Sequence, residues 1–138
     1  MASGRYRTEA LCRHWSSQSK GVCLISQACN NMLEDITHIL QICPALSCFR
    51  EKLARFTQEY LEKIENPDIQ AILTTHCNVS HPLFRDFLLD CSSLPQVIRC
   101  VQLHGHDVLH HLFRVTRTWI YVLHRERLKI LGRWNKYV

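Results

Sequence analysis

Residues 23–44 read CLISQACNNMLEDITHILQICP, and this stretch carries most of the information in the chain. It contains four residues of the types that Zn²⁺ prefers as ligands, namely Cys23, Cys29, His38 and Cys43. Three thiolates and one imidazole fill a closed tetrahedral shell, which leaves no position for water or substrate. The pattern therefore predicts a structural metal site, not a catalytic one, embedded in a small zinc knuckle.

Pro44 directly follows the last predicted ligand, and it bears on how the ligands reach one metal ion. Apolar periodicity over residues 33–42 predicts a short amphipathic helix. On a continuous α-helix, His38 and Cys43 would point about 140° apart. Because proline disfavours helical geometry at the residue before it, we expect the helix to end at Cys43. The Cys43 sulfur would then turn back toward the His38 ring.

The remainder of the chain also has helical periodicity, and strand patterns are scarce. A second helix is predicted from an apolar stripe that ends before Asn66-Pro67 and consists of Phe49, Leu53, Phe56, Tyr60 and Ile64. Further helices are predicted at about 68–75, at 81–91 and over 95–131, the last one bent or split at Gly105. The prediction is an all-α domain with a long C-terminal helix. Residues 1–65 would hold a basic helix, the knuckle and its packing helix, and residues 66–138 a helical C-terminal region of the same compact unit.

Composition and charge predict an intracellular protein that binds a polyanion. Residues 1–20 lack the apolar segment of a secretory signal, so the eight cysteines are better explained by metal binding or buried thiols than by disulfides. No apolar run approaches the ~20 residues of a membrane helix. Residues 1–22 carry a net charge of +3, residues 23–111 of −4 and residues 112–138 of +6. Basic ends suit a polyanion such as a nucleic acid, or an acidic surface in a larger assembly. The alternative is that they form a solvated helix face.

The knuckle and both its flanks resemble a known family. The stretch HILQICPAL at residues 38–46 resembles the C-terminal region of LINE-type (non-LTR) retrotransposon reverse transcriptase polyproteins. Those proteins carry two cysteines, an acidic-x-x-His element and then x4-Cys-Pro, which here correspond to Cys23, Cys29, Asp35, His38, Cys43 and Pro44. GRYRTEALCRHW at residues 4–15 and TRTWIYVLHRERLKILGRW at residues 116–134 are similar to the same family. The resemblance implies a module that helps a reverse transcriptase engage element RNA or target DNA.

Two departures from the family pattern limit what the resemblance implies. The five-residue spacer between Cys23 and Cys29 is wider than the two to four residues common in zinc sites, and Cys48 is an alternative ligand. The chain also has no Tyr-x-Asp-Asp polymerase motif and no nucleophile–base pair. We therefore expect no enzymatic activity, although the parent polyprotein would be an RNA-directed DNA polymerase.

The basic residues at both ends are the candidates for nucleic-acid binding. Basic side chains contact phosphates, and exposed aromatic side chains stack on bases. The candidates are Arg5, Arg7, Arg13, Arg114, Arg117, Arg125, Arg127, Lys129, Arg133 and Lys136. The alternative functions are a structural or protein-interaction fragment that packs against a reverse transcriptase core, and a decayed remnant without an independent function.

Overall fold

The computed structural model describes residues 35–132, and every regular element in that range is helical. This confirms the predicted all-α class. The elements in chain order are a π-helix at His38–Ile42, a 3₁₀ turn at Pro44–Leu46, α1 at Ser47–Glu62, α2 at Pro67–His76, α3 at Phe84–Asp90, a 3₁₀ turn at Cys91–Ser93, α4 at Pro95–His104 and α5 at Asp107–Ile130. Within the described range, no helix is both long and apolar enough to span a membrane.

Several predicted features lie outside the described residues. They are the N-terminal basic helix, the predicted ligands Cys23 and Cys29, and the basic residues Arg5, Arg7, Arg13, Arg133 and Lys136.

The chain divides into two compact units. One unit comprises residues 51–120, and among the described residues the other comprises 35–50 together with 121–132. Helices α1 and α5 contribute residues to both units. The predicted division at residues 65 and 66 follows chain order and stays a prediction.

Local signals in the sequence place most helix boundaries correctly. Helix α2 begins at Pro67 because the Asn66 side chain accepts hydrogen bonds from the backbone N–H groups of Asp68 at 2.9 Å and Ile69 at 3.4 Å. The predicted helix over 95–131 is split at Gly105, whose φ of 89° suits glycine and ends α4. Proline starts and a glycine stop are local effects, so the sequence alone predicts them.

The buried face of α1 differs from the predicted stripe. Leu53 and Ile64 are buried as predicted, whereas Phe49, Phe56 and Tyr60 are half-buried. The buried positions recur at Leu46, Arg50, Leu53, Thr57, Leu61 and Ile64. The predicted stripe therefore lies at the edge of the buried face. Two central positions of the buried face, Arg50 and Thr57, are polar, so an apolar pattern does not include them.

The unit of residues 51–120 has an aromatic core centred on Trp119. This side chain is fully buried and packs edge-to-face against Phe84, with ring centroids 5.3 Å apart. Its indole N–H donates a hydrogen bond to the Thr57 hydroxyl at 2.8 Å. Helices α1, α3 and α5 are thus joined within this unit by one apolar contact and one buried polar contact.

Candidate metal centre and nucleic-acid interface

The segment that carries His38 and Cys43 is a π-helix, where the sequence predicts a regular α-helix. The Cys43 N–H donates to the His38 carbonyl at 2.7 Å, which is the i to i+5 bond of a π-turn. In such a turn, residues five apart lie one above the other, as residues four apart do in an α-helix. The wider turn therefore removes the divergence of about 140° that an α-helix would impose on these two residues.

Both ends of the π-helix have identifiable causes. At the start, the Asp35 carboxylate accepts the backbone N–H of His38 at 2.8 Å, as an N-capping residue does. At the end, Cys43 has φ −55° and ψ 116°, the extended geometry that Pro44 favours at the residue before it. The helix therefore ends at Cys43 as predicted. This hydrogen bond also gives a physical reason for the acidic-x-x-His spacing, because Asp35 caps the turn that carries His38.

His38 and Cys43 are both removed from solvent. His38 is 1% exposed and Cys43 is 0% exposed. One nitrogen donor and one sulfur donor are thus buried at the two ends of one turn, and both are of the types found in a closed Cys₃His zinc shell. The other two predicted ligands lie outside the described residues. Among residues 35–132, no group of three or more His, Cys, Asp or Glu side chains is arranged to hold a metal ion.

A buried arginine lies against this turn. Arg50 is 7% exposed and donates through Nη1 to the Ile39 carbonyl at 3.1 Å and through Nη2 to the Cys43 carbonyl. Burial lowers the pKa of Arg50, and the nearby Cys43 and Cys48 sulfurs raise it. The sequence pattern missed this residue. The sequence feature that could have indicated its burial is its position, because Arg50 lies in phase with the apolar residues on the buried face of α1.

Cys77, Cys91 and His76 are further cysteine and histidine side chains whose pKa values burial shifts. Burial raises the pKa of the Cys77 thiol to about 12 and that of the Cys91 thiol to about 11, so both remain protonated at neutral pH. His76 is 3% exposed, lies 3.2 Å from the Ile72 carbonyl through Nδ1, and packs its ring against Phe87. Burial lowers the pKa of His76, which disfavours its charged form.

In the unit of residues 51–120, two predicted nucleic-acid residues are exposed on α5. Arg114 and Arg117 are three residues apart and both face solvent. The Arg117 guanidinium lies 4.9 Å from the Phe113 ring centroid, and Arg114 lies 6.0 Å from that of Tyr60. Trp119, by contrast, is fully buried and offers no face for base stacking.

In the other unit, α5 carries a second basic and aromatic group. Tyr121 is 49% exposed, and the Arg125 guanidinium lies 5.5 Å from its ring centroid. Glu126 forms ion pairs with Arg125 at 3.0 Å and with Lys129 at 3.6 Å. Arg127 differs from these residues, because it is 1% exposed. Its guanidinium is not presented to solvent, which the charge pattern alone does not reveal.

No protein-family model, curated protein or solved structure matches this chain. The resemblance to the retrotransposon family therefore stays a prediction that depends on the residues quoted above.

Proposed function

We propose that this chain is a non-catalytic zinc-binding module that contacts nucleic acid, with Cys23, Cys29, His38 and Cys43 as the metal ligands. The observation that carries the proposal is the π-turn, which has a buried histidine and a buried cysteine at its two ends. A bound Zn²⁺ would supply folding free energy by fixing the ligand segments. By resemblance, the module would be an accessory region of a reverse transcriptase polyprotein that engages RNA or DNA.

The nucleic-acid part of the proposal rests on residues of α5 that reach solvent. Arg114, Arg117 and Lys129 are exposed and Arg125 is half-buried, and all four offer positive charge. Tyr121 offers an exposed ring. Phosphate contacts by such residues release counterions, so the affinity falls steeply with salt. Aromatic rings stack on bases with little sequence preference. The chemistry therefore suits a backbone contact that is largely independent of sequence. Arg127 is left out of this set because it is buried.

The metal is tested by its stoichiometry in the purified full-length chain. Atomic absorption or native mass spectrometry should find one zinc per chain, and His38→Ala and Cys43→Ser should lose it. Cys100→Ala is the matched control, since Cys100 is a buried thiol outside the predicted ligand set. Cys48→Ser asks whether this exposed cysteine is a ligand instead. Absence of zinc from the wild-type chain would refute the metal part of the proposal.

Nucleic-acid binding is tested by fluorescence anisotropy with a single-stranded RNA and a DNA of the same sequence. Arg117→Gln combined with Lys129→Gln should weaken binding and reduce the slope of log K against log salt by about 0.7 per lost phosphate contact. Arg55→Gln is the matched control, because Arg55 is an exposed arginine on α1. Binding that does not depend on salt, or that Arg55→Gln weakens equally, would contradict the proposed phosphate contacts of Arg117 and Lys129.

A second candidate function, protein interaction, is favoured by exposed apolar side chains on α4. Leu103 is 75% exposed and Ile98 is 44% exposed. Leu103 also lines an open groove of about 400 Å³ between α2 and α4. By resemblance, the partner would be a reverse transcriptase core. Three results together would support this alternative. The wild type would self-associate in size-exclusion chromatography, Leu103→Asp would be monomeric, and the chain would bind neither RNA nor DNA.

A further inference from the structure

The π-turn leaves the buried Ile39 carbonyl without a helical partner. In an α-helix, the Ile39 carbonyl would accept the N–H of Cys43, but that N–H is bonded to the His38 carbonyl at 2.7 Å. In a continued π-helix it would accept the N–H of residue 44, and Pro44 has none. Ile39 is 0% exposed. A buried carbonyl of this kind requires a donor from elsewhere in the fold.

Arg50 supplies that donor from the first turn of α1. Its Nη1 group donates to the Ile39 carbonyl at 3.1 Å, and its Nη2 group donates to the Cys43 carbonyl. The rigid guanidinium fork therefore bridges two carbonyls at the end of the turn, one of which belongs to a predicted ligand. Breaking this bridge would allow the chain at Cys43 to relax away from His38.

The charge of Arg50 matches the centre that we propose. Both partners in its two hydrogen bonds are neutral carbonyls, so these bonds bring no opposite charge to a cation that is 7% exposed. A buried charge is costly unless a group of opposite sign lies nearby. Three thiolates, a neutral imidazole and Zn²⁺ together carry a charge of about −1. One buried arginine beside Cys43 offsets that charge.

We propose that Arg50 is a positioning residue of the metal centre, which holds the Cys43 end of the π-turn and offsets the charge of the thiolate ligands. This inference rests on the proposed zinc binding. Partners outside the ligand shell typically contribute 10- to 100-fold to metal affinity. Arg50 acts through the ligand Cys43, and no direct contact between Arg50 and the metal is required.

The test compares Arg50→Gln and Arg50→Lys with Arg55→Gln in the full-length chain. Zinc affinity is measured by competition with a chromogenic chelator, and the visible spectrum of the Co²⁺-loaded protein reports the number of thiolate ligands. We expect Arg50→Gln to weaken zinc binding by at least about tenfold. Arg50→Lys should be intermediate, because lysine keeps the charge but lacks the fork. Arg55→Gln should bind zinc as the wild type does.

A measurement without metal separates this inference from the proposed function. Hydrogen exchange of the metal-free protein should show faster exchange of the Cys43 amide in Arg50→Gln, while circular dichroism shows the helices intact. If the wild type binds zinc and Arg50→Gln binds it within about twofold, with unchanged cobalt spectrum and exchange, the role of Arg50 is refuted and the proposed function stands. If the wild type binds no zinc, the proposed metal centre and the charge-offsetting role fail together.

Discussion

Replacing Thr57 by valine should destabilise the unit of residues 51–120, because the Thr57 hydroxyl is the acceptor for a buried indole. Trp119 Nε1 donates to Thr57 Oγ1 at 2.8 Å, and Trp119 is 0% exposed. The same hydroxyl donates to the Leu53 carbonyl at 2.9 Å. Valine has nearly the shape of threonine but provides neither bond. The substitution therefore changes hydrogen bonding with little change in packing.

The expected loss follows from the group that remains unsatisfied. The Leu53 carbonyl lies inside α1 and keeps its place in the helical bonding pattern. The indole N–H, however, is left buried without its acceptor, which costs about 1–3 kcal/mol. Thr118→Val is the matched control, because the Thr118 hydroxyl bonds the Arg114 carbonyl at an exposed position of α5. That change should alter the free energy of unfolding by less than about 0.5 kcal/mol.

Urea denaturation followed by circular dichroism measures both variants, and a double-mutant cycle identifies the cause. In a Trp119→Phe background the indole N–H is absent, so Thr57→Val should be nearly neutral there. An equal loss of stability in both backgrounds would refute the reasoning, since the effect would then come from Thr57 alone. A loss for Thr118→Val as large as that for Thr57→Val would refute it as well.

Three further predictions concern a turn, a titration and an ion pair. Gly105→Ala should destabilise the protein by about 1–3 kcal/mol, because φ is +89° at this position and strains any residue with a Cβ. Backbone strain should be the whole effect, since an added Cβ meets no atom within 4 Å. Urea denaturation measures this loss of stability. Burial, with a smaller effect of the Arg127 charge, lowers the pKa of His124 to about 4. Between this pKa and the ordinary histidine pKa of about 6.5, the unfolded state binds more protons than the folded state. The free energy of unfolding therefore falls as the pH drops through this window, by roughly 2 kcal/mol between pH 7.5 and pH 5. Urea denaturation at the two pH values should show a smaller difference for His124→Gln than for the wild type. Glu126→Gln should raise nucleic-acid affinity severalfold in the anisotropy assay, because it releases Arg125 and Lys129 from ion pairs worth about 0.2–1 kcal/mol each.

Each of these predictions has an outcome that would contradict it. A stability of Gly105→Ala equal to that of the wild type would mean that the turn relaxes to a negative φ. An unchanged pH dependence in His124→Gln would assign the acid sensitivity to other groups. Unchanged or weaker nucleic-acid binding by Glu126→Gln would mean that Arg125 and Lys129 do not contact the phosphates.

The sequence marks the candidate ligands by residue type and spacing, and their binding of zinc stays a prediction. Cys43 before Pro44 predicts the helix end that the structure has at that position. The π-turn is not predictable in the same way. The π-turn forms because the Cys43 N–H bonds the His38 carbonyl, which leaves the Ile39 carbonyl to accept from Arg50 on α1. These hydrogen bonds involve two segments of the chain, whereas a periodic pattern describes one segment.

Local sequence signals are sufficient to predict the all-α class, the break between helices at Asn66-Pro67 and a bend or split at Gly105, because capping, proline geometry and positive φ act within a few residues. Which polar side chains are buried depends instead on contacts between segments that are distant in the chain. Arg50 and Arg127 are basic residues on amphipathic helices, as Arg55 and Lys129 are, yet the first two are buried and the last two are exposed. Burial of an arginine is tolerated only where the fold provides acceptors for its guanidinium, as it does for Arg50 at the carbonyls of Ile39 and Cys43. Such acceptors come from residues distant along the helix or on another element, so no local pattern specifies them.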